Sequence, residues 1–143
     1  MRFTVRSDIE TEAVGRRLAE LLASKKIKRA VIAMRGEMGV GKTVFTRGFA
    51  SYFGIRGVKS PTYTVVNEYR GTDISIFHFD LYRISDGDDL YSVGYDDYLA
   101  RDGYAIIEWS ERIPEEIPED AIFVSISRVA DREEERIIEI SDF

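Results

Sequence analysis

A chain of 143 residues suits one compact domain better than two, and at this size it buries roughly 70% of its unfolded surface without needing covalent staples. Its 44% hydrophobic and 12% aromatic content is that of a soluble globular protein; 20 basic against 26 acidic residues leave a net charge of −6, which argues against a broad nucleic-acid-binding face. With no cysteine and His78 as the single histidine, thiol chemistry, CxxC redox centres and multi-histidine metal sites are excluded, leaving a hard cation on oxygen ligands as the open metal chemistry.

In chain order, the charged opening MRFTVRSDIE is not a signal peptide. No apolar run approaches the roughly 20 residues that cross a bilayer, so no membrane role is expected, and with no disulfide possible and no export signal the cytoplasm is the expected compartment. Arg2–Val5 reads as a short strand. Ser7 and Glu10 have capping-box spacing, with Thr11 as a competing helix start. Val14, Leu18, Leu21 and Leu22 fall on one face of a helix running to about Ser24. The basic stretch Lys25, Lys26, Lys28 and Arg29 that follows reads as a solvated helix end before it reads as a phosphate-backbone patch. Any nucleic-acid role is expected to pass through a partner.

Ala30–Met34 is a wholly apolar run, as suits a strand buried on both faces, and Gly36 breaks it. Phe45, Phe49, Tyr52 and Phe53 repeat the helical spacing up to a stop at Gly54. Tyr63–Tyr69 and Ile74–Phe79 flank Arg70-Gly71-Thr72-Asp73 and predict a hairpin. The acidic, aromatic stretch from Asp86 to Ala100, interrupted by Gly87 and Gly94, suggests short surface helices. Tyr104–Ile107 is another buried-type strand, and Ala121–Val129 with Glu135–Ile140 reads as a terminal antiparallel hairpin. The fold expected is a three-layer α/β sandwich over residues 1–143, its mixed sheet parallel in the centre and antiparallel at the flanks.

Gly36-Glu37-Met38-Gly39-Val40-Gly41-Lys42-Thr43 matches GxxxxGK[ST] at every specified position, between a buried strand and an amphipathic helix. That context points to a phosphate-binding P-loop over a plain Gly-rich turn. Its glycines let backbone amides turn inward around phosphates, Lys42 places an ammonium against the β and γ phosphates, and the Thr43 hydroxyl serves magnesium. No Asn-Lys-x-Asp guanine motif appears, which favours ATP over GTP. A P-loop needs an acid near the metal, at the end of a neighbouring apolar strand. Asp80 and Glu108 each end such a run, and the lean is Glu108 towards the metal and Asp80 towards water or the metal's outer sphere.

Around these, Ser60-Pro61-Thr62-Tyr63 reads equally as a switch segment, with Thr62 sensing phosphate or magnesium, and as a turn into the next strand. Trp109 reads first as a core tryptophan, against a surface or nucleotide-proximal role. Arg83 is a candidate arginine finger, against the more common plain exposed arginine. His78, alternating with larger apolar residues, reads as a satisfied core histidine and not as a base.

Taken together, Gly36–Thr43 with Thr46-Arg47-Gly48, Ser60-Pro61-Thr62-Tyr63 leading to Asn67-Glu68-Tyr69, His78-Phe79-Asp80-Leu81-Tyr82-Arg83, Gly94 with Tyr98-Leu99, and Ile107-Glu108-Trp109 resemble the TsaE (formerly YjeE) family. The resemblance runs from about Thr11 to Pro118. It implies an ATPase required for threonylcarbamoyladenosine in bacterial tRNA, with ATP or ADP and magnesium as ligands. It further implies that Lys42 and Thr43 bind phosphate and magnesium and that Asp80 and Glu108 are needed for hydrolysis. Thr62 then belongs to a switch-like loop, Trp109 is a functional aromatic, and the Thr11-Glu12 region lies near the adenine. The partners implied are TsaB and TsaD, on whose heterodimer the family protein docks, so that tRNA is reached through the complex. Beyond Pro118 no motif is available for comparison.

Three functions are compatible with these residues. The first is a partner-activated ATPase, slow alone because a P-loop without a supplied catalytic group hydrolyses slowly. The second is a small metabolite kinase, for which the chain has no long insertion to serve as lid and acceptor pocket. The third is a nucleotide-gated binding subunit without meaningful turnover.

Overall fold

A computed structural model describes residues Met1–Phe143. Seven strands form one sheet in the order β1-β7-β6-β2-β5-β4-β3. They are β1 (Arg2–Val5), β2 (Arg29–Arg35), β3 (Val66–Arg70), β4 (Ser75–Asp80), β5 (Gly103–Glu108), β6 (Ile122–Val129) and β7 (Arg132–Ile140). The four central strands, β6, β2, β5 and β4, run parallel. At the flanks, β3 pairs antiparallel with β4, β7 with β6 and β1 with β7. This is the mixed sheet expected from the apolar runs in the centre and the alternating patterns at the edges. No helix is long and apolar enough to cross a membrane.

Helix α1 (Asp8–Ser24) starts at Ser7, whose hydroxyl accepts the Glu10 N–H at 3.2 Å and donates to the Glu10 carboxylate at 3.4 Å. Ser7 is therefore the cap, and Thr11 lies one turn inside the helix, buried. Val14, Leu18, Ala19 and Leu22 form the buried stripe, each leucine worth about 1.5–3 kcal/mol of burial. Helix α2 (Lys42–Ser51) packs against α1 with backbones close together, because Gly15 and Gly48 present no side chain at the crossing. A Cβ on Gly48 would lie 2.0 Å from the Glu12 carbonyl oxygen. Both helices cover the sheet face carrying Ile32, Met34, Ile76, Tyr104, Ile106, Val124 and Ile138.

The opposite face carries Phe77, Phe79, Ala105 and Ile107 under Leu90 of α3 (Gly87–Ser92), Tyr95 of α4 (Tyr95–Ala100) and Ile113. Alternation along each strand feeds the two cores separately. The hairpin to β4 starts later than its sequence suggests. Pro61–Val65 is a turn, closed by the Val65 N–H on the Pro61 carbonyl at 2.9 Å, and Val65 has φ 69°. The basic stretch after α1 is partly spent on the chain itself. Lys25 lies over the Phe143 ring and hydrogen-bonds its carbonyl, and Arg29 donates to the Ala100 carbonyl.

Candidate functional site

The central strands β2, β4 and β5 end at one edge, and the loop from β2 to α2 stands over it. Gly36 leaves β2 with φ 151° beneath β6, where a Cβ would meet the Ile126 carbonyl oxygen at 2.6 Å. Gly41 begins α2 with φ 117° and gives it no side-chain cap, so the first amides of α2 are free for an anion. Val40 anchors the loop by burying its side chain in the core, whereas Met38 stays 62% exposed at the tip.

Beside this loop opens a cleft of about 830 Å3, within the range of small-molecule sites. Met38, Gly39, Val40, Gly41, Lys42 and Thr43 line it from the loop side, and Thr11 lines it from α1. Thr62, Asp80, Glu108 and Trp109 line it from the strand ends and the segment before β3. Gly36 and Glu37 are outside the lining. Gly36 sits behind the loop, and the Glu37 carboxylate turns away to pair with Arg128 at 2.9 Å.

Two strands deliver the acids. In the parallel register of β4 and β5, Asp80 lies opposite Glu108, so both carboxylates emerge on the α2 face at the same edge. Glu108 is 4% exposed and accepts the Thr43 hydroxyl at 3.1 Å through Oε2. Asp80 accepts the Ser60 hydroxyl at 3.1 Å and the Tyr82 N–H at 2.9 Å, tying it to the segment that carries Thr62. Thr62 in turn shares a hydrogen bond with Ser60 at 3.0 Å. The two acids thus differ in their neighbours: Glu108 belongs with Thr43, Asp80 with the Ser60–Thr62 turn.

Lys42 is buried, its ammonium donating to the Gly36 carbonyl and lying 3.6 Å from the centre of the Trp109 ring. Burial pushes its pKa below the ordinary lysine value, and the carboxylates of Glu108, Glu111 and Asp80 pull it partly back. Trp109 is not a core tryptophan. The chain turns immediately after β5, with Trp109 at φ 59°, and lays the half-buried ring between Lys42 and the Tyr82 ring at 5.1 Å. Arg83 lines the cleft, exposed, with its guanidinium over the Tyr63 ring at 5.1 Å. His78 is fully buried, as expected, but only one ring nitrogen is satisfied: Nε2 meets Glu108 Oε2 at 2.5 Å, and Nδ1 has no partner.

Several neighbours were not legible as site residues. Glu111 accepts the Gly36 N–H at 3.3 Å. Arg128 on β6 holds the loop tip through Glu37 and the Met38 carbonyl. Arg136 and Glu134 on β7 close the cleft next to Arg6 and Asp8. No local pattern marks them, since their partners are supplied by distant chain. The terminal hairpin is therefore a wall of the site.

A buried parallel strand, a GxxxxGK[ST] loop and an uncapped helix start opening on a cleft define a P-loop NTPase-like α/β protein. Sequence narrows the class. Over residues 5–138 the chain matches the family model described as "Threonylcarbamoyl adenosine biosynthesis protein TsaE", and it belongs to that family. It is 42% identical to the tRNA threonylcarbamoyladenosine biosynthesis protein TsaE of Haemophilus influenzae, covering 78% of this chain and 72% of that one. The protein of the same name from Bacillus subtilis is 36% identical, covering 88% and 77%, and that of Treponema pallidum 32%, covering 92% and 94%. The crystal structure of Bacillus subtilis YdiB superposes with a TM-score of 0.78 at 29% identity, covering 98% of this chain and 83% of that one. The family resemblance carried by the motifs holds along most of the chain, including the terminal hairpin that had no motif to compare.

Proposed function

We propose that this chain is a magnesium-dependent ATPase that acts with TsaB and TsaD in forming the threonylcarbamoyl group on tRNA adenosine, in the cytoplasm. The observation that carries the reading is the convergence of the Thr43 hydroxyl and the Glu108 carboxylate, 3.1 Å apart, beside the free first amides of α2. The oxygen donors Thr43, Glu108 and Asp80 fit magnesium, which binds through one or two carboxylates plus substrate phosphates.

The chain's own groups divide the work as follows. The loop amides and the start of α2 bind the phosphates, and Lys42 leaves Trp109 for the β and γ oxygens, where an anion compensates its burial. Thr43 and Glu108 would hold the cation, which would supply neutralisation of the charge developing on the phosphates. Asp80, fixed by Ser60 and the Tyr82 amide, orients the attacking water and takes its proton at a carboxylate oxygen. Thr62, tied through Ser60 to Asp80, would sense the phosphate or the cation from the segment before β3. Thr11 and the residues beside it flank the adenine end of the cleft.

Glu108→Gln separates this reading from a nucleotide-gated subunit. The variant should form the complex with TsaB and TsaD while releasing no phosphate and stalling modification after the first cycle. Modification that continues through many cycles without hydrolysis overturns the ATPase reading.

A further inference from the structure

His78 carries no role in the scheme above, yet its Nδ1 is the buried side-chain polar atom left without a partner. Its position is defined by register. On parallel strands β4 and β5, His78 lies opposite Ile106 and Asp80 opposite Glu108, so all four residues face α2. His78 thus sits one step deeper in the sheet than Glu108, behind that carboxylate as seen from the cleft, and is 0% exposed.

A carboxylate only accepts, so the bond to Glu108 is given by an Nε2 proton, while Nδ1 meets no partner. For packing alone, a phenyl ring would fill this site with nothing unpaired. What an imidazole adds is the hydrogen bond to Glu108 Oε2. That carboxylate is itself buried and needs donors. It has two, Thr43 and His78, and both reach Oε2, while Oε1 has only a 3.4 Å contact to Thr43. Under the proposed chemistry Thr43 turns its oxygen to the cation when nucleotide binds. His78 is the donor whose place does not depend on the nucleotide.

We propose that His78 is a positioning residue that holds the Glu108 carboxylate by Oε2 and keeps Oε1 turned to the cleft, presetting it for the cation beside Thr43. The inference rests on the magnesium-ATPase reading. Removing such a support typically costs about 10- to 100-fold in metal affinity or activity.

The test compares wild type, His78→Phe, which fills the space without a donor, and His78→Gln, whose amide N–H reaches the Nε2 position. A non-hydrolysable ATP analogue is titrated calorimetrically with and without magnesium, beside melting curves and turnover. The expected result is that His78→Phe binds metal-free nucleotide within about twofold of wild type but loses about tenfold or more of the magnesium-dependent gain and of kcat. His78→Gln recovers most of both. A cooperatively folded His78→Phe with wild-type magnesium dependence overturns the proposal, as does equal loss in both variants. If His78→Phe does not fold, the Gln variant and the nitrogen NMR spectrum of wild type decide: an Nε2 without its proton, or loss of magnesium dependence in His78→Gln, overturns it. A wild-type protein with no magnesium effect and no turnover instead fails the ATPase reading itself, an outcome recognisable before any variant is compared.

Discussion

Replacing Lys42 by Met keeps the side chain's bulk and removes its charge. In the free protein the ammonium gives a hydrogen bond to Gly36 and lies over Trp109. Contacts to two phosphate oxygens are each worth about 1.5–3 kcal/mol as charge-assisted hydrogen bonds. Against them stand about 1 kcal/mol for the lost Gly36 bond and about 0.5–2 kcal/mol for the lost ring contact. Low end against low end and high against high, the difference is about 1.5–3 kcal/mol, so Lys42→Met should weaken ATP binding by about 10- to 160-fold. Stability should change little, because burial already disfavours the charge there. Titration calorimetry with magnesium and ATP reads the affinity, and the fluorescence of Trp109, the only tryptophan, reads the departure of Lys42. Affinity within about threefold of wild type would refute the placement of the phosphates against this lysine.

Asp80→Asn should keep nucleotide affinity within about threefold while lowering turnover by about 10² or more, as loss of a general base does. Loss of magnesium-dependent binding would instead make Asp80 a cation ligand. Gly48→Ala gains about 1 kcal/mol in helix propensity but drives a methyl into the Glu12 backbone, 2.0 Å away, at a cost of about 1–3 kcal/mol or more. A net loss of up to about 2 kcal/mol is expected, read by scanning calorimetry as a fall in Tm of up to about 8 °C, and a rise would mean that the two helices separate without cost.

The two strands and loop that build the phosphate site were legible because their signals are local. Ala30–Met34 and Tyr104–Ile107 are uninterrupted apolar runs, and the loop motif lies between the first of them and an amphipathic helix. The start of β3 was misplaced because Tyr63-Thr64-Val65-Val66 has strand-forming side chains, while the backbone is turned by the bond from Val65 to Pro61. Trp109 read as a core residue because it follows a buried strand; the left-handed turn at that residue, not its chemistry, puts the ring on Lys42. His78 was correctly placed in the core, but its unpaired nitrogen and its bond to Glu108 depend on the register of β4 against β5, which no spacing along one strand reveals. Arg128 is the extreme case, holding a loop 90 residues away.

ATP hydrolysis by this chain, measured alone and with TsaB, TsaD and tRNA, tests the central claim most directly. The expected result is slow, magnesium-dependent phosphate release alone, raised by the partners towards the about 10³–10⁵ that a supplied catalytic group adds to a P-loop site, and abolished by Glu108→Gln. Phosphate transferred to a small molecule and not to water, or no release under any combination while modification proceeds over many cycles, would contradict it.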